Sequence, residues 1–199
     1  MTGIQALERL KIKPMKPGFV ELVEFEYERH GTQCLIANFY VATGKIIAST
    51  VSDTRTEKDF EKHIRQTVNL FPKDNWIFLV DQLNTHKSEA LVRFVAQACE
   101  IDVELGIKGK NGILKSMETR AEFLKDQCHR IRFVYIPKHT SWLNQIEIWF
   151  SILVRRLLKK GNFSSKEVLK ERILKFIEFF NKTMAKPFKW TYQGKPLKI

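Results

Sequence analysis

The spacing of apolar residues predicts extended strands near the start of the chain. Apolar and polar residues mix at short period in three segments, which are residues 19–27, 33–43 and 45–52. Gly31 and Gly44 lie between these segments, and glycine is typical of tight turns between antiparallel strands. This part of the chain is therefore predicted to form an antiparallel hairpin series with turns at the two glycines.

After residue 55 the apolar residues recur at the spacing of a helix. Thr56 and Asp59 form a capping-box pattern ahead of three apolar residues at helical spacing, which are Phe60, Ile64 and Val68. This pattern predicts a helix that begins after Thr56.

The remaining elements alternate between strands and helices. "WIFLV" at 76–80 is a fully apolar run, typical of a strand covered on both faces. Further segments follow: a helix over 88–100, a strand over 131–137, a helix from 139 to about 160 and a helix from 164 to 184 that Ser164 or Ser165 caps. Helices interleaved with strands predict an α/β fold with a mixed sheet flanked by helices.

Residues 100–129 form the least regular stretch. Gly106, Gly109 and Gly112 lie here beside two lysines, a composition that could place backbone against phosphate groups. No strand directly precedes these glycines as it does in a dinucleotide-binding motif. The stretch is therefore predicted to be a flexible insertion that loops away from the sheet.

Asp81 and Glu147 are the candidate chemical groups. Asp81 directly follows the apolar strand at 76–80, and ligands bind at the carboxyl ends of strands in α/β sheets. A helix cap or a turn is the alternative role for Asp81. Glu147 falls on a polar seam with Asn144, Ser151 and Arg155, at the edge of an apolar helix face.

A carboxylate at the rim of a core is costly unless it is paired or bound to a metal. A tertiary salt bridge is the alternative role for Glu147. Together, a strand-end Asp81 and a helical Glu147 can converge on one hard cation, because carboxylates are the ligands that Mg²⁺ prefers. His86 lies five residues after Asp81 and could orient it, contact a polyanion, or serve in packing or capping.

The charge distribution points to a polyanionic partner. The 199-residue chain carries a net charge of +12, and its last 45 residues hold 13 lysines or arginines against three acids. Such a basic block attracts nucleic acid, although a solvated basic face is the alternative. The three cysteines form no CxxC pair, so a zinc knuckle or a disulfide framework is not expected. This cysteine usage predicts a reducing, cytoplasmic environment. No apolar run approaches the ~20 residues that span a bilayer.

Four segments resemble one known family. They are "EYERHGT" at 26–32, "VDQLNTH" at 80–86, "PKHTSWLNQIEIWFS" at 137–151 and "KPFKWTY" at 186–192. The chain resembles the catalytic domain of bacterial insertion-sequence transposases related to mariner, which belong to the DDE superfamily and have a ribonuclease-H-like fold. The resemblance covers essentially the whole chain as one domain.

The resemblance implies a site and its chemistry. Asp81 would be the second acid of the catalytic triad and Glu147 the third, with Asn84, His86 and Asn144 as accessory residues. Two divalent ions, Mg²⁺ or Mn²⁺, would support DNA nicking and strand transfer, commonly into TA-containing targets. Six further residues would contact DNA without reading sequence: Lys138, His139, Arg155, Arg156, Lys159 and Lys160. A homo-oligomer associated with the nucleoid is implied as well.

The chain differs from the family pattern in three ways that change what we expect of its activity. The family's first Asp would lie just upstream of Met1, so the first strand is expected to be incomplete and the activity impaired. The helix-turn-helix region that relatives carry is absent from these residues, and Gln82 stands where relatives usually have Asn. Asp81 and Glu147 are 66 positions apart, a wide spacing that the 100–129 insertion accounts for.

Two other classes remain. The chain could be a non-catalytic DNA-binding remnant or regulator of a transposase, which would bind DNA without needing Asp81 or Glu147. A cellular ribonuclease-H-like nuclease would need a fourth clustered acid, and the sequence offers no candidate for it near Glu147.

Overall fold

The structure is a computed structural model that describes residues 2–9, 12–13, 15–20, 22–23, 26–137, 140 and 143–187. The strands are β1 (Thr2–Glu8), β2 (Ile12–Lys13), β3 (Leu22–Val23), β4 (Glu28–Tyr40), β5 (Lys45–Ser52), β6 (Trp76–Val80) and β7 (Ile131–Tyr135). The α-helices are α1 (Glu57–Val68), α2 (Glu89–Ala98), α3 (Met117–Lys125), α4 (Gln145–Leu153) and α5 (Lys166–Thr183). A 3₁₀ helix spans Asn84–Lys87, and a π-helical segment spans Val154–Leu158.

An antiparallel sheet has the order β1-β4-β5. The turn predicted at Gly44 is confirmed, since the backbone of Gly44 has φ +70° between β4 and β5. The turn predicted at Gly31 is wrong. Gly31 lies inside β4, where the pairing with β1 shifts register as at a β-bulge, and its φ of +105° accommodates the extra residue.

The strand predicted over 19–27 is confirmed at Leu22 and Val23, which form β3 and pair with β2, and it is wrong at Glu26 and Tyr27, which lie in no strand. Residues 21, 24 and 25 lie outside the described residues. The outer partner of β4 is β1 instead, with Thr2 opposite Leu35. Burial explains this choice, because the alternate β1 residues Ile4 and Ala6 enter the core.

The predicted strands at 76–80 and 131–137 are confirmed as the parallel pair β6 and β7. Among the described residues these strands form a sheet of their own, so the single mixed sheet that the sequence predicts is divided. The prediction that both faces of β6 are covered by other parts of the protein is also wrong. Trp76 and Phe78 are buried, whereas the side chain of Ile77 is 58% exposed on the opposite face.

Two apolar clusters form the core. One joins α1, α2 and the parallel pair, and the other packs α4 and α5 against the antiparallel sheet. The prediction that residues 100–129 loop away is wrong. Leu114 and Leu124 are fully buried in the first cluster, and α3 lies within this stretch, because its apolar side chains cover the edge of that core.

The helix starts predicted at Thr56 and at Ser164 or Ser165 are confirmed. The Thr56–Asp59 capping box is present at α1, and Ser165 caps α5 by accepting a hydrogen bond from the Val168 backbone N–H. The helix predicted from residue 139 begins later, at Gln145. Its predicted apolar face is confirmed by the buried residues of α4, which are Trp149, Phe150 and Leu153.

None of the helices within the described ranges has the length and apolar character needed to cross a membrane.

Candidate active site

Asp81 lies where β6 ends, at the start of a tight turn. Its Oδ1 accepts a hydrogen bond of 3.1 Å from the backbone N–H of Leu83. The 3₁₀ helix that follows brings His86 back to the carboxylate, and Nδ1 of His86 lies 2.8 Å from the same Oδ1. Both contacts fall on Oδ1, so Oδ2 has no hydrogen-bond partner among the described residues.

The environment of Asp81 favours its ionised form. Burial by itself acts to raise the pKa of the Asp81 carboxyl. The hydrogen bond and charge of His86, together with the Leu83 N–H, outweigh burial and hold the pKa below its ordinary value. Asp81 is therefore an anion at neutral pH, and one of its carboxylate oxygens is hydrogen-bonded within the protein.

His86 is held rigidly. Its side chain is 5% exposed, and its ring lies against Phe60 with 4.3 Å between the ring centroids. The Tyr135 hydroxyl donates a 2.8 Å hydrogen bond to the His86 backbone carbonyl. Nε2 of His86 is buried without a partner in the described part of the chain. Nδ1 is thus the ring nitrogen through which His86 contacts Asp81.

Gln82 joins the ends of the two parallel strands. Its Nε2 donates a 2.7 Å hydrogen bond to the Ile136 carbonyl after β7, and its Oε1 accepts one of 2.7 Å from Lys87 Nζ. The residue at this position therefore fixes the turn that carries Asp81. A glutamine has the reach to make both contacts.

Glu147 lies in the first turn of α4. Asn144 caps this helix, with its Oδ1 accepting a 3.3 Å hydrogen bond from the Ile146 backbone N–H. The Glu147 side chain is exposed and belongs to the polar seam that the sequence predicts. Along that seam the Ser151 hydroxyl donates to the Glu147 carbonyl, and Arg155 Nε donates to the Ser151 carbonyl.

Asp81 and Glu147 line the same cavity, which has a volume of about 560 Å³. His86 and Asn144 line it too. Glu147 also borders a second cavity of about 720 Å³ with Thr2 and Arg155, so the two cavities adjoin at Glu147. The two carboxylates that the sequence singles out, 66 positions apart, thus line one cavity.

The other predicted site residues are distributed differently. Asn84 is exposed on the 3₁₀ helix and does not line the cavity. Four cations lie exposed along the π-helical segment and just beyond it: Arg155, Arg156, Lys159 and Lys160. Lys138 and His139 lie outside the described residues.

The sequence pattern missed a separate cluster on the antiparallel sheet. Nε2 of His30 lies 2.7 Å from Glu8 Oε2 and 4.0 Å from Glu28 Oε2, and the ligand atoms of the three residues are close enough to hold a metal ion. Glu8 and Glu28 are cross-strand partners. No local pattern signals this cluster, because it depends on the pairing of β1 with β4. None of its members lines the cavity of Asp81 and Glu147.

The residues at the cavity fit a divalent cation. Mg²⁺ takes oxygen ligands and is typically held by one or two carboxylates together with waters and substrate phosphates. Oδ2 of Asp81 and the exposed carboxylate of Glu147 are both available for this purpose among the described contacts. The buried His86 behind Asp81 is the kind of partner that orients a ligating carboxylate.

The chain belongs to the DDE superfamily endonuclease family, whose model matches residues 1–170. The fold is mixed α/β, in agreement with a nuclease domain of this family. Members are transposase-type nucleases that act on DNA and generally use divalent metal ions. No curated protein and no solved structure matches the chain.

Proposed function

We propose that the chain is the catalytic domain of a mariner-related insertion-sequence transposase with a ribonuclease-H-like arrangement. The observation that carries the proposal is the shared cavity of Asp81 and Glu147. The family match supports the same reading, because a DDE endonuclease needs acidic ligands gathered at one place. The reaction would be cleavage of DNA phosphodiester bonds followed by strand transfer.

Asp81 and Glu147 would act as metal ligands. A pair of divalent ions bound here would lower the pKa of the attacking oxygen and offset negative charge on the leaving oxygen. Asp81 would offer Oδ2, since Oδ1 is occupied by Leu83 and His86. His86 would act as a positioning residue that keeps Asp81 ionised and fixes its orientation.

The exposed cations would hold the DNA. Arg155 borders the cavity that adjoins Glu147, and Arg156, Lys159 and Lys160 continue from it along the chain. A run of cations beginning in the cavity that Glu147 borders would draw a phosphate backbone toward the metal ligands. Such contacts position DNA without reading its sequence. TA-containing targets and a homo-oligomeric assembly belong to the same proposal.

Metal binding and plasmid nicking test the proposal together. We expect Mn²⁺, measured by calorimetry, to bind the 199-residue chain and to lose affinity in Asp81→Asn and Glu147→Gln. Glu8→Gln is the matched control, because Glu8 belongs to the separate cluster on the antiparallel sheet. Affinity that falls in Glu8→Gln but persists in the other two variants would contradict the assignment of the site.

Nicking of supercoiled plasmid then decides between two readings. Metal-dependent nicking that Asp81→Asn abolishes supports the catalytic domain. The second reading, a DNA-binding regulator without catalysis, is favoured by one observation. Among the described residues, Asp81 and Glu147 are the only carboxylates that line the cavity. DNA binding that is unchanged in both variants, without nicking by the parent chain, would support the regulator.

A further inference from the structure

Two lysine side chains lie against one tyrosine ring at the end of the parallel strand pair. Tyr135 is the last residue of β7, and Nζ of Lys87 lies 5.0 Å from the centroid of its ring. Nζ of Lys125, the last residue of α3, lies 5.6 Å from the same centroid. Both distances are within the roughly 6 Å at which an aromatic ring attracts an ammonium group. We call Lys87, Lys125 and Tyr135 the lysine–tyrosine cluster.

Neutral groups hold Lys87 in place. Its Nζ donates a 2.7 Å hydrogen bond to Gln82 Oε1, and Gln82 Nε2 in turn donates to the Ile136 carbonyl. The ring of Tyr135 is held as well, because its hydroxyl donates to the His86 carbonyl at 2.8 Å. A lysine that binds a ligand loses rotamer freedom, and this cost is smaller when the side chain is already ordered. Lys87 is therefore pre-organised to bind an anion.

The positive charge of the lysine–tyrosine cluster is not neutralised within the protein. Neither ammonium group forms an ion pair with a carboxylate in the described part of the chain. The pKa of Glu118 is lowered chiefly by a hydrogen bond with Ser116 and to a smaller degree by the charge of Lys87, and Glu118 is exposed to solvent. Two positive charges beside one ring repel each other, and an anion that contacts both relieves this repulsion.

The lysine–tyrosine cluster lies next to the candidate metal ligand Asp81. Gln82, which holds Lys87, directly follows Asp81 in the chain. Asp81 lines the cavity of about 560 Å³, whereas neither lysine of the cluster does. The cluster is therefore placed to contact phosphate groups beside the one at the metal ligands, rather than that phosphate itself.

Lys125 comes from the stretch of residues 100–129. The preceding residue, Leu124, is fully buried, and α3 packs against β7 and the 3₁₀ helix. Burial of Leu124 thus fixes the end of α3 at which Lys125 stands. The stretch that the sequence predicts to loop away from the sheet supplies one of the two cations of the cluster.

We propose that the lysine–tyrosine cluster binds the phosphate backbone of DNA beside the nucleotide that reaches Asp81, with Lys87 and Lys125 each contacting a phosphate group. The proposal rests on the proposed function, because that function makes DNA the partner. A lysine ammonium acts on phosphate as a point charge, so these contacts position the DNA without reading its sequence. Gln82 is a positioning residue for Lys87, and residues 100–129 take part in substrate binding through Lys125.

The double variant Lys87→Met, Lys125→Met tests the two phosphate contacts. Methionine keeps an unbranched, flexible side chain against the tyrosine ring and removes the charge. Fluorescence anisotropy with a labelled DNA duplex, in EDTA and at several salt concentrations, measures binding without any metal ion. Each lost phosphate contact changes the slope of log K against log salt concentration by about 0.9, so the slope of the double variant should be shallower by roughly 2.

Two further variants serve as controls. Lys58→Met with Lys62→Met makes the same change in net charge on exposed positions of α1 and should leave the slope as in the parent chain. Lys87→Arg with Lys125→Arg keeps both charges and should keep the slope as well.

Protection from acetylation locates the DNA on the parent chain directly. An amine-reactive acetylating reagent is applied with and without the duplex, and mass spectrometry measures the modification of each lysine. We expect DNA to protect Lys87 and Lys125 and to leave Lys58 and Lys62 reactive.

Several results would overturn the proposal. They are an unchanged slope in the folded Lys87→Met, Lys125→Met variant, an equal change in the Lys58→Met, Lys62→Met control, and acetylation of the two cluster lysines that DNA does not reduce. All of these measurements are made without metal, whereas Mn²⁺ affinity and plasmid nicking test the proposed function. A parent chain that binds DNA without using the lysine–tyrosine cluster would therefore leave the metal site at Asp81 and Glu147 standing.

Discussion

Nδ1 of His86 lies 2.8 Å from Oδ1 of Asp81, and the imidazole is buried while the carboxylate faces the cavity. A buried donor behind a partly exposed acid holds one oxygen and leaves the other for a ligand. This arrangement has the geometry of a histidine that positions a metal-binding carboxylate.

His86→Phe should therefore weaken metal binding while keeping the contact with Phe60. We expect the affinity for Mn²⁺ to fall by about 10- to 100-fold. Loss of the hydrogen bond also raises the pKa of Asp81, so the pH at which binding is half-maximal moves upward. Calorimetric titrations across the pH range measure both effects. His30→Phe, which removes a similar contact with Glu8, is the control and should leave the pH profile unchanged. An identical profile in His86→Phe would rule out the positioning role.

Replacing Arg155, Arg156, Lys159 and Lys160 together with alanine should reduce the salt dependence of DNA binding. Each phosphate contact contributes about −0.9 to the slope of log K against log salt concentration, so the slope should become shallower by roughly 3 to 4. Fluorescence anisotropy with a DNA duplex at several salt concentrations measures the slope.

The matched control replaces four exposed lysines elsewhere: Lys58, Lys62, Lys73 and Lys115. It makes the same change in net charge without touching the π-helical segment. Equal changes in slope for the two quadruple variants would show that DNA responds to total charge rather than to this surface.

His63 should make the protein sensitive to mild acid. Burial lowers the pKa of His63 to about 3, and its ring nitrogens lie 2.8 Å from Asn38 Nδ2 and 2.9 Å from Thr50 Oγ1. Between that value and the unfolded pKa of 6.5, the unfolded chain binds the extra proton, so stability is lost as the pH falls. The free energy of unfolding should drop by about 2 to 3 kcal/mol from this group between pH 6.5 and 4.5.

Urea unfolding at the two pH values measures the effect of His63. His63→Gln should be less stable at neutral pH but should lack this part of the pH dependence. If the difference in stability between the parent chain and His63→Gln stays constant with pH, the prediction that His63 is buried in its neutral form is refuted.

Gly44→Ala should destabilise the fold more than an ordinary turn substitution. Gly44 has φ +70°, and an added Cβ would overlap the backbone of Lys186. Gly109→Ala is the control, because φ is +76° there but no heavy atom lies near the added Cβ. We expect a loss of about 1 to 2 kcal/mol in Gly109→Ala from backbone strain. The loss in Gly44→Ala should exceed this, and thermal unfolding compares the two. Equal losses would mean that the close approach to Lys186 has no effect on stability.

The elements that the sequence predicts well are those with local causes. The capping box at Thr56 fixes the start of α1 through contacts within four residues, and Gly44 marks a turn whose backbone requires a positive φ. The polar seam below Glu147 follows from helical periodicity alone. Asp81 and Glu147 could be chosen as a pair because each occupies a recognisable place, a strand end and a helix start.

Contacts between distant segments of the chain determine the features that the sequence did not predict. Gly31 carries the same local signal as Gly44, yet β1 pairs across it and converts the expected turn into a bulge. Leu114 and Leu124 look like parts of an irregular insertion until the core beside them is known. The sequence by itself determined the local elements and the two candidate acids, because hydrogen bonds and side-chain periods within a few residues specify them. The tertiary structure alone decided the strand partners and the cluster of Glu8, Glu28 and His30, because these depend on which distant segments pair and pack together.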